Sequence, residues 1–167
     1  MRLQHYILNE LFDTKVPITF KGKEITTNSV VYFYIFDVDD DLTYEFNGYF
    51  YPISKEGNFY PPSVEYDNML NIEFNLMNAK GGGFGFAVQG TGNTGKVFSG
   101  VKLCLIDLMK RVKKDKHNVE YIVFDCDKDE PSREKLYDRF TKLLPRIIKG
   151  FKFHKKEYNQ YIYKKKK

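Results

Sequence analysis

Polar and apolar residues alternate through much of the first half of the chain. Leu70, Ile72, Phe74 and Leu76 recur at every second position between Met69 and Met77, the period of a strand with one buried face. Ser29 to Phe36 is a β-branched and aromatic run, and Leu42 to Phe50 resumes it after Asp37-Val38-Asp39-Asp40-Asp41, which predicts two strands joined by an acidic turn. Pro17 to Phe20 and Ile25 flank Gly22 and predict a small hairpin. Leu3, Ile7, Leu8, Leu11 and Phe12 fall at helical spacing and predict a short helix over 3–13. Residues 52–68, with Pro52, Gly57, Pro61 and Pro62, read as a long loop. Gly81-Gly82-Gly83 breaks the pattern before another extended run, Phe84 to Gln89.

The period then changes. Val97, Val101, Cys104, Leu105, Leu108 and Val112 form one helical stripe, with Lys102, Lys110, Lys113 and Lys114 largely off it. Tyr121-Ile122-Val123-Phe124 is a continuous apolar run, as in a strand covered on both faces. Pro131 opens a second helix whose stripe is Leu136, Phe140, Leu143, Leu144 and Ile147, and Pro145 is expected to kink or end it. Phe151 to His154 and Tyr158 to Tyr163 predict a closing hairpin around Lys155-Lys156-Glu157. The order predicts a single α+β domain over residues 1–167, with a mostly antiparallel sheet, one parallel crossover and flanking helices. A strand-rich part covers 1–68, a core 69–163, and a basic tail 164–167.

Composition sharpens this picture in three places. Aromatics are 17% of the 167 residues, including 13 Tyr and 15 Phe, which favours a large sheet. The net charge of +5 is modest, and Lys164 to Lys167 are its densest run, a solvated end or a loose contact for a protein partner or polyanion. Cys104 and Cys126 lack metal-type spacing and read as buried thiols of a reducing compartment. No apolar run is long enough to span a membrane, and Met1-Arg2-Leu3-Gln4-His5 does not lead into a secretion signal. A cytoplasmic protein is expected, in a host cytoplasm or a virion if the chain is viral. No metal site is expected: the acidic run at 37–41 lacks the glycine and distal glutamate of a calcium loop.

The strongest chemical signal is Gln89-Gly90-Thr91-Gly92-Asn93-Thr94-Gly95-Lys96, between an extended run and a helix. Glycines let the backbone approach a phosphate, and the first N–H groups of a helix have no internal partner. Three phosphate-binding designs share this local plan. Gly90, Gly92 and Gly95 match a dinucleotide fingerprint, but the turn comes after a meander rather than in a first βαβ unit. Gly90 with Gly95-Lys96 matches part of a P-loop, but Val97 stands where a hydroxyl would bind Mg²⁺.

The third design covers roughly residues 69–163. A strand, this turn, a helix, a parallel strand, a helix carrying Leu136-Tyr137 and a hairpin resemble the GNAT superfamily of N-acetyltransferases. Thr91-Gly92 with Lys96-Val97-Phe98, and Lys128 to Arg133 with Lys135 to Arg139, are similar to segments of small GNAT-like proteins of bacteriophages. The resemblance implies acetyl-coenzyme A or another acyl-CoA as cosubstrate, with direct transfer to an acceptor amine whose identity it leaves open. Gln89, Gly90, Thr91, Gly92, Asn93, Thr94, Gly95 and Lys96 would hold the pyrophosphate, and the backbone near Val88 would polarise the thioester carbonyl. The pantetheine arm would lie between the strand ending near Gln89 and the strand at 121–125. Tyr137 matches the residue that protonates the departing thiolate. Thr94 stands where the family has Gly or Ala. The run 84–89 has no carboxylate for the usual base, leaving Glu73 and Asp125, with Asp127, as candidates. The other function class compatible with these residues is a GNAT-shaped accessory or virion protein that binds protein or nucleic acid without turnover.

Overall fold

The computed structural model describes residues 15–39, 42–53, 66–77, 94–125, 131–157 and 160–167, with backbone alone at 39, 94, 125, 131–137 and 139. Seven strands and two helices follow in order. They are β1 (Ile18–Ile25), β2 (Val30–Asp39), β3 (Leu42–Tyr51), β4 (Met69–Leu76), α1 (Thr94–Lys114), β5 (Tyr121–Asp125), α2 (Pro131–Ile147), β6 (Phe151–Glu157) and β7 (Gln160–Lys165). The strands make one sheet in the order β1-β2-β3-β4-β5-β7-β6. All neighbours are antiparallel except β4 and β5. The fold is therefore α+β, a mostly antiparallel sheet with one parallel pair. The expected helix at 3–13 and strand at 84–89 lie outside the described residues.

Both helices cover the same face of the sheet. Every residue of the predicted α1 stripe is at most 1% exposed, as are Tyr32, Tyr34, Phe36, Phe46, Leu70, Ile72, Ile122 and Phe124 beneath the helices. Burying a large apolar side chain stabilises by about 1.5–3 kcal/mol, so this shared face holds the domain together. Phe140 joins α2 to the rest, packing on Phe98 of α1 and Phe124 of β5 at ring distances of 5.0 and 5.8 Å. Two glycines set the depth of α1. A Cβ on Gly48 would overlap Leu108, and one on Gly100 would overlap the Phe36 ring.

Tyrosines finish this face by sending their hydroxyls to its rim. Tyr34 donates to Asp107 at 3.1 Å, and Arg111 donates to the same carboxylate at 2.6 Å while lying 3.5 Å from the Phe20 ring centroid. Tyr32 donates to Asp115 at 2.7 Å, beside Lys23 at 2.8 Å. These buried rings carry satisfied polar ends, and among the described residues no buried tyrosine hydroxyl is left without a partner.

Several expectations are corrected. Residues 18–25 are not a hairpin but one strand with a bulge, where Gly22 at φ +139° absorbs an extra residue between Phe20 and its own pairing. Lys155-Lys156-Glu157 are strand residues rather than a turn, since Glu157 pairs with Gln160. The basic tail is not loose at its start. Lys164 pairs with Tyr121, Lys165 pairs with Phe151, and the Lys166 N–H donates to the Gly150 carbonyl at 2.7 Å. Pro145 falls in the last turn of α2, which ends two residues later at Ile147.

Candidate functional site

The parallel pair is closed at its start by Asn68. At its start the Asn68 carbonyl accepts from the N–H groups of Glu120 and Tyr121 at 2.9 and 3.4 Å, with Asn68 itself at φ +56°. Pairing then runs only from Met69 with Tyr121 to Ile72 with Phe124. Beyond that point β4 continues from Glu73 to Leu76 with β3 on one side and, among the described residues, no strand on the other. We call this end of the β4–β5 pair, beyond Ile72 and Phe124, the notch.

The parallel neighbour of β5 is thus residues 69–76, where the sequence placed the 84–89 run. That moves Glu73 onto the strand flanking the notch. It follows Ile72 as Asp125 follows Phe124, so two of the candidate bases occupy the same level of neighbouring strands. Tyr137 lies in the N-terminal half of α2, three residues before Phe140, which packs on Phe124 at the same end of β5.

α1 begins at Thr94, immediately after the glycine-rich turn, and its first turn contains Gly95 and Lys96 with no acidic residue. Unpaired N–H groups and the helix dipole make such an end favourable for an anion. Val97 to Val101 are all buried, while Gly95 and Lys96 at the helix start are part-exposed. Of the expected pyrophosphate residues, Thr94, Gly95 and Lys96 fall at this helix start. Val88, Gln89, Gly90, Thr91, Gly92 and Asn93 lie outside the described residues.

The face of the sheet away from the helices carries a polar patch beside the notch, which the sequence pattern did not single out. Asn47 pairs with Glu73 across β3 and β4, and Tyr49 pairs with Asn71. The Asn71 amide donates to Glu73 Oε1 at 3.2 Å. Burial, then the nearby Glu73 and Glu45 carboxylates, pushes the Tyr49 phenol up to about 12, so it stays a neutral donor. Asn47 is 5% exposed, and its Oδ1 has no hydrogen-bond partner among the described residues. Alternation shows that polar residues face away from the helices here, but only register reveals that Glu73, Asn71, Asn47 and Tyr49 meet.

Among the described residues, no cluster of His, Cys, Asp or Glu is placed to hold a metal ion. Cys104 is buried and burial raises its thiol, so it is no nucleophile. Among the described residues, no helix is long and apolar enough to cross a membrane. No family model matches the chain, and no curated protein or solved structure matches it.

Proposed function

We propose that this protein is a GNAT-like acyltransferase that moves an acetyl group from acetyl-coenzyme A to an acceptor amine. The observation that carries the reading is the parallel β4–β5 pair, whose described pairing ends at Ile72 and Phe124, with α1 starting behind the glycine-rich segment. A pantetheine arm suits the end of the parallel β4–β5 pair, beyond Ile72 and Phe124. A pyrophosphate suits the α1 N-terminus with Lys96 beside it. The element order β4, turn, α1, parallel β5, α2, hairpin also supports the reading.

In this reading the acceptor nitrogen attacks the thioester carbonyl carbon. The C–N bond forms, the C–S bond breaks, and coenzyme A leaves as a thiolate. Glu73 takes the proton from the amine, directly or through a water, and Tyr137 gives one to the thiolate. Asn71 orients the Glu73 carboxylate through its 3.2 Å hydrogen bond. Asp125, level with Glu73 across the notch, is the alternative base.

Thioester turnover with a panel of small amines tests the reading. Tyr137→Phe and Glu73→Gln should each lower kcat about 10²–10⁴-fold while leaving acetyl-coenzyme A affinity in place. Turnover unchanged in both variants would reject these roles.

A further inference from the structure

The charge of this chain is strongly partitioned. Residues 141–167 hold ten of the 27 Lys and Arg but one of the 22 Asp and Glu, so this stretch is +9 while the preceding 140 residues are −4. The fold gathers much of this charge at one place. β5 and β7 are antiparallel, with Asp125 opposite Gln160 and Tyr121 opposite Lys164, so the lysines lie at the end of the sheet away from the notch. α1 runs back from the notch, and its last turns bring Lys110 and Lys113 to the same end.

Two recesses are built there. One, of about 400 Å³, is lined by Lys152, His154 and Lys164 to Lys167. The other, of about 550 Å³, lies between the ends of α1 and α2, where Lys110, Lys113, Lys149 and Lys165 surround an apolar floor. Lys165 lines both, so the basic surface is continuous. The carboxylates nearby are engaged: Asp115 with Lys23 and Tyr32, and Glu120 with Asn118. Among the described residues, none is ion-paired to Lys152, Lys164 or Lys166.

Two ordinary uses of lysine do not account for this cluster. Lysines at helix C-termini offset the helix dipole, but Lys152, Lys164, Lys166 and Lys167 lie on no helix. Lysines on an edge strand discourage sheet-to-sheet association, which covers Lys152 on β6, but Lys164 and Lys165 lie on β7, which is interior, between β5 and β6. The edge strand also presents aromatic surface beside the charge. Phe153 is 51% exposed, and His154 sits exposed in the bulge of β6, within ring contact of Tyr121.

We propose that this lysine-rich end of the sheet, along β6 and the end of β7, binds single-stranded nucleic acid. Lysines without carboxylate partners neutralise the phosphates as point charges and carry no sequence information. His154, beside Lys152 and Lys164 on one face, and Phe153, against Tyr163 on the helix-side face of the same edge strand, offer flat faces on which bases stack as a strand passes the edge. The surface is separate from the notch and does not depend on acyl transfer.

Fluorescence anisotropy with a labelled oligothymidylate tests this directly. Four phosphate contacts predict log K falling with log salt at a slope of about −3. Lys152→Glu with Lys166→Glu should weaken binding at least tenfold and flatten the slope by about 1.4. Lys15→Glu with Lys21→Glu makes the same charge change near the opposite edge and should change affinity less than threefold. Phe153→Ala should weaken oligothymidylate binding at least threefold without changing the slope. Circular dichroism confirms that each variant is folded. The proposal is overturned if the wild type fails to bind in low salt, if the control pair loses as much as the test pair, or if poly-glutamate of equal charge displaces the oligonucleotide as well as unlabelled oligothymidylate does.

Discussion

The Tyr163 hydroxyl donates to the Thr141 carbonyl at 2.8 Å inside the core, and Thr141 is the residue four positions before Pro145. A proline in a helix has no N–H for the carbonyl four residues back. α2 therefore continues past Pro145 because a tyrosine from β7 replaces the missing donor. Tyr163→Phe should leave a buried carbonyl unpaired and lower stability by about 1–3 kcal/mol. In a Pro145→Ala background the helix supplies its own N–H, and the same substitution should cost less than half as much. Equal costs in urea denaturation of the two backgrounds would contradict this link.

Gly100 is predicted to resist a substitution that usually favours helices. Alanine is about 1 kcal/mol better than glycine within an open helix. Here the added methyl would overlap the Phe36 ring, which is itself stacked on Tyr44 at 5.3 Å and 8°. Overpacking of this kind costs about 1–3 kcal/mol, so Gly100→Ala should destabilise on balance. A raised urea midpoint would show that α1 sits further from the sheet.

High pH should unfold the protein abruptly. Burial, reinforced by Asp138, pushes Tyr161 up to about 12, and burial with Glu73 and Glu45 does the same for Tyr49. Burial also raises Tyr32, Tyr34 and Tyr163. A folded pKa above the unfolded value of 10 gives stability that is whole below pH 10 and is lost as pH rises towards 12. Each tyrosine ionised only in the unfolded chain lowers stability by about 1.4 kcal/mol per pH unit. Tyrosinate absorbance of this group should therefore appear together with loss of the circular dichroism signal. Ionisation of all tyrosines near pH 10 in a folded protein would contradict these environments.

Glu73 gives the account a variant that separates binding from chemistry. Glu73→Gln keeps the shape and the contact with Asn71 but removes the charge facing Tyr49. The Tyr49 phenol should then titrate at lower pH, because one of the carboxylates that raise it is gone. A Tyr49 titration unmoved by Glu73→Gln would place the two apart in solution.

The parts legible in the sequence were those written as a period. The α1 stripe from Val97 to Val112 and the β4 face of Leu70, Ile72, Phe74 and Leu76 are buried as their spacing requires. The Tyr121 to Phe124 run is covered on both sides, with Ile122 and Phe124 under the helices and Val123 against Met69 and Ile162. What periodicity cannot express is pairing. Gly22 marks a bulge instead of a turn because the strand that fixes its register is β2, outside the local pattern. Proximity to the glycine-rich segment points to 84–89 as the parallel partner of β5, whereas β5 pairs with Met69 to Ile72 of β4. Glu73 was legible as a carboxylate. Its place at the notch depends on that pairing.

The central claim is that the far end of the β4–β5 pair, beyond Ile72 and Phe124, and the start of α1 form a site for acetyl-coenzyme A. Isothermal titration of the full chain with acetyl-coenzyme A tests it most directly. The account predicts saturable one-to-one binding that is lost in Gly92→Asp, where a carboxylate beside the helix start repels the pyrophosphate. No heat at high micromolar ligand, or binding that survives Gly92→Asp unchanged, would contradict it.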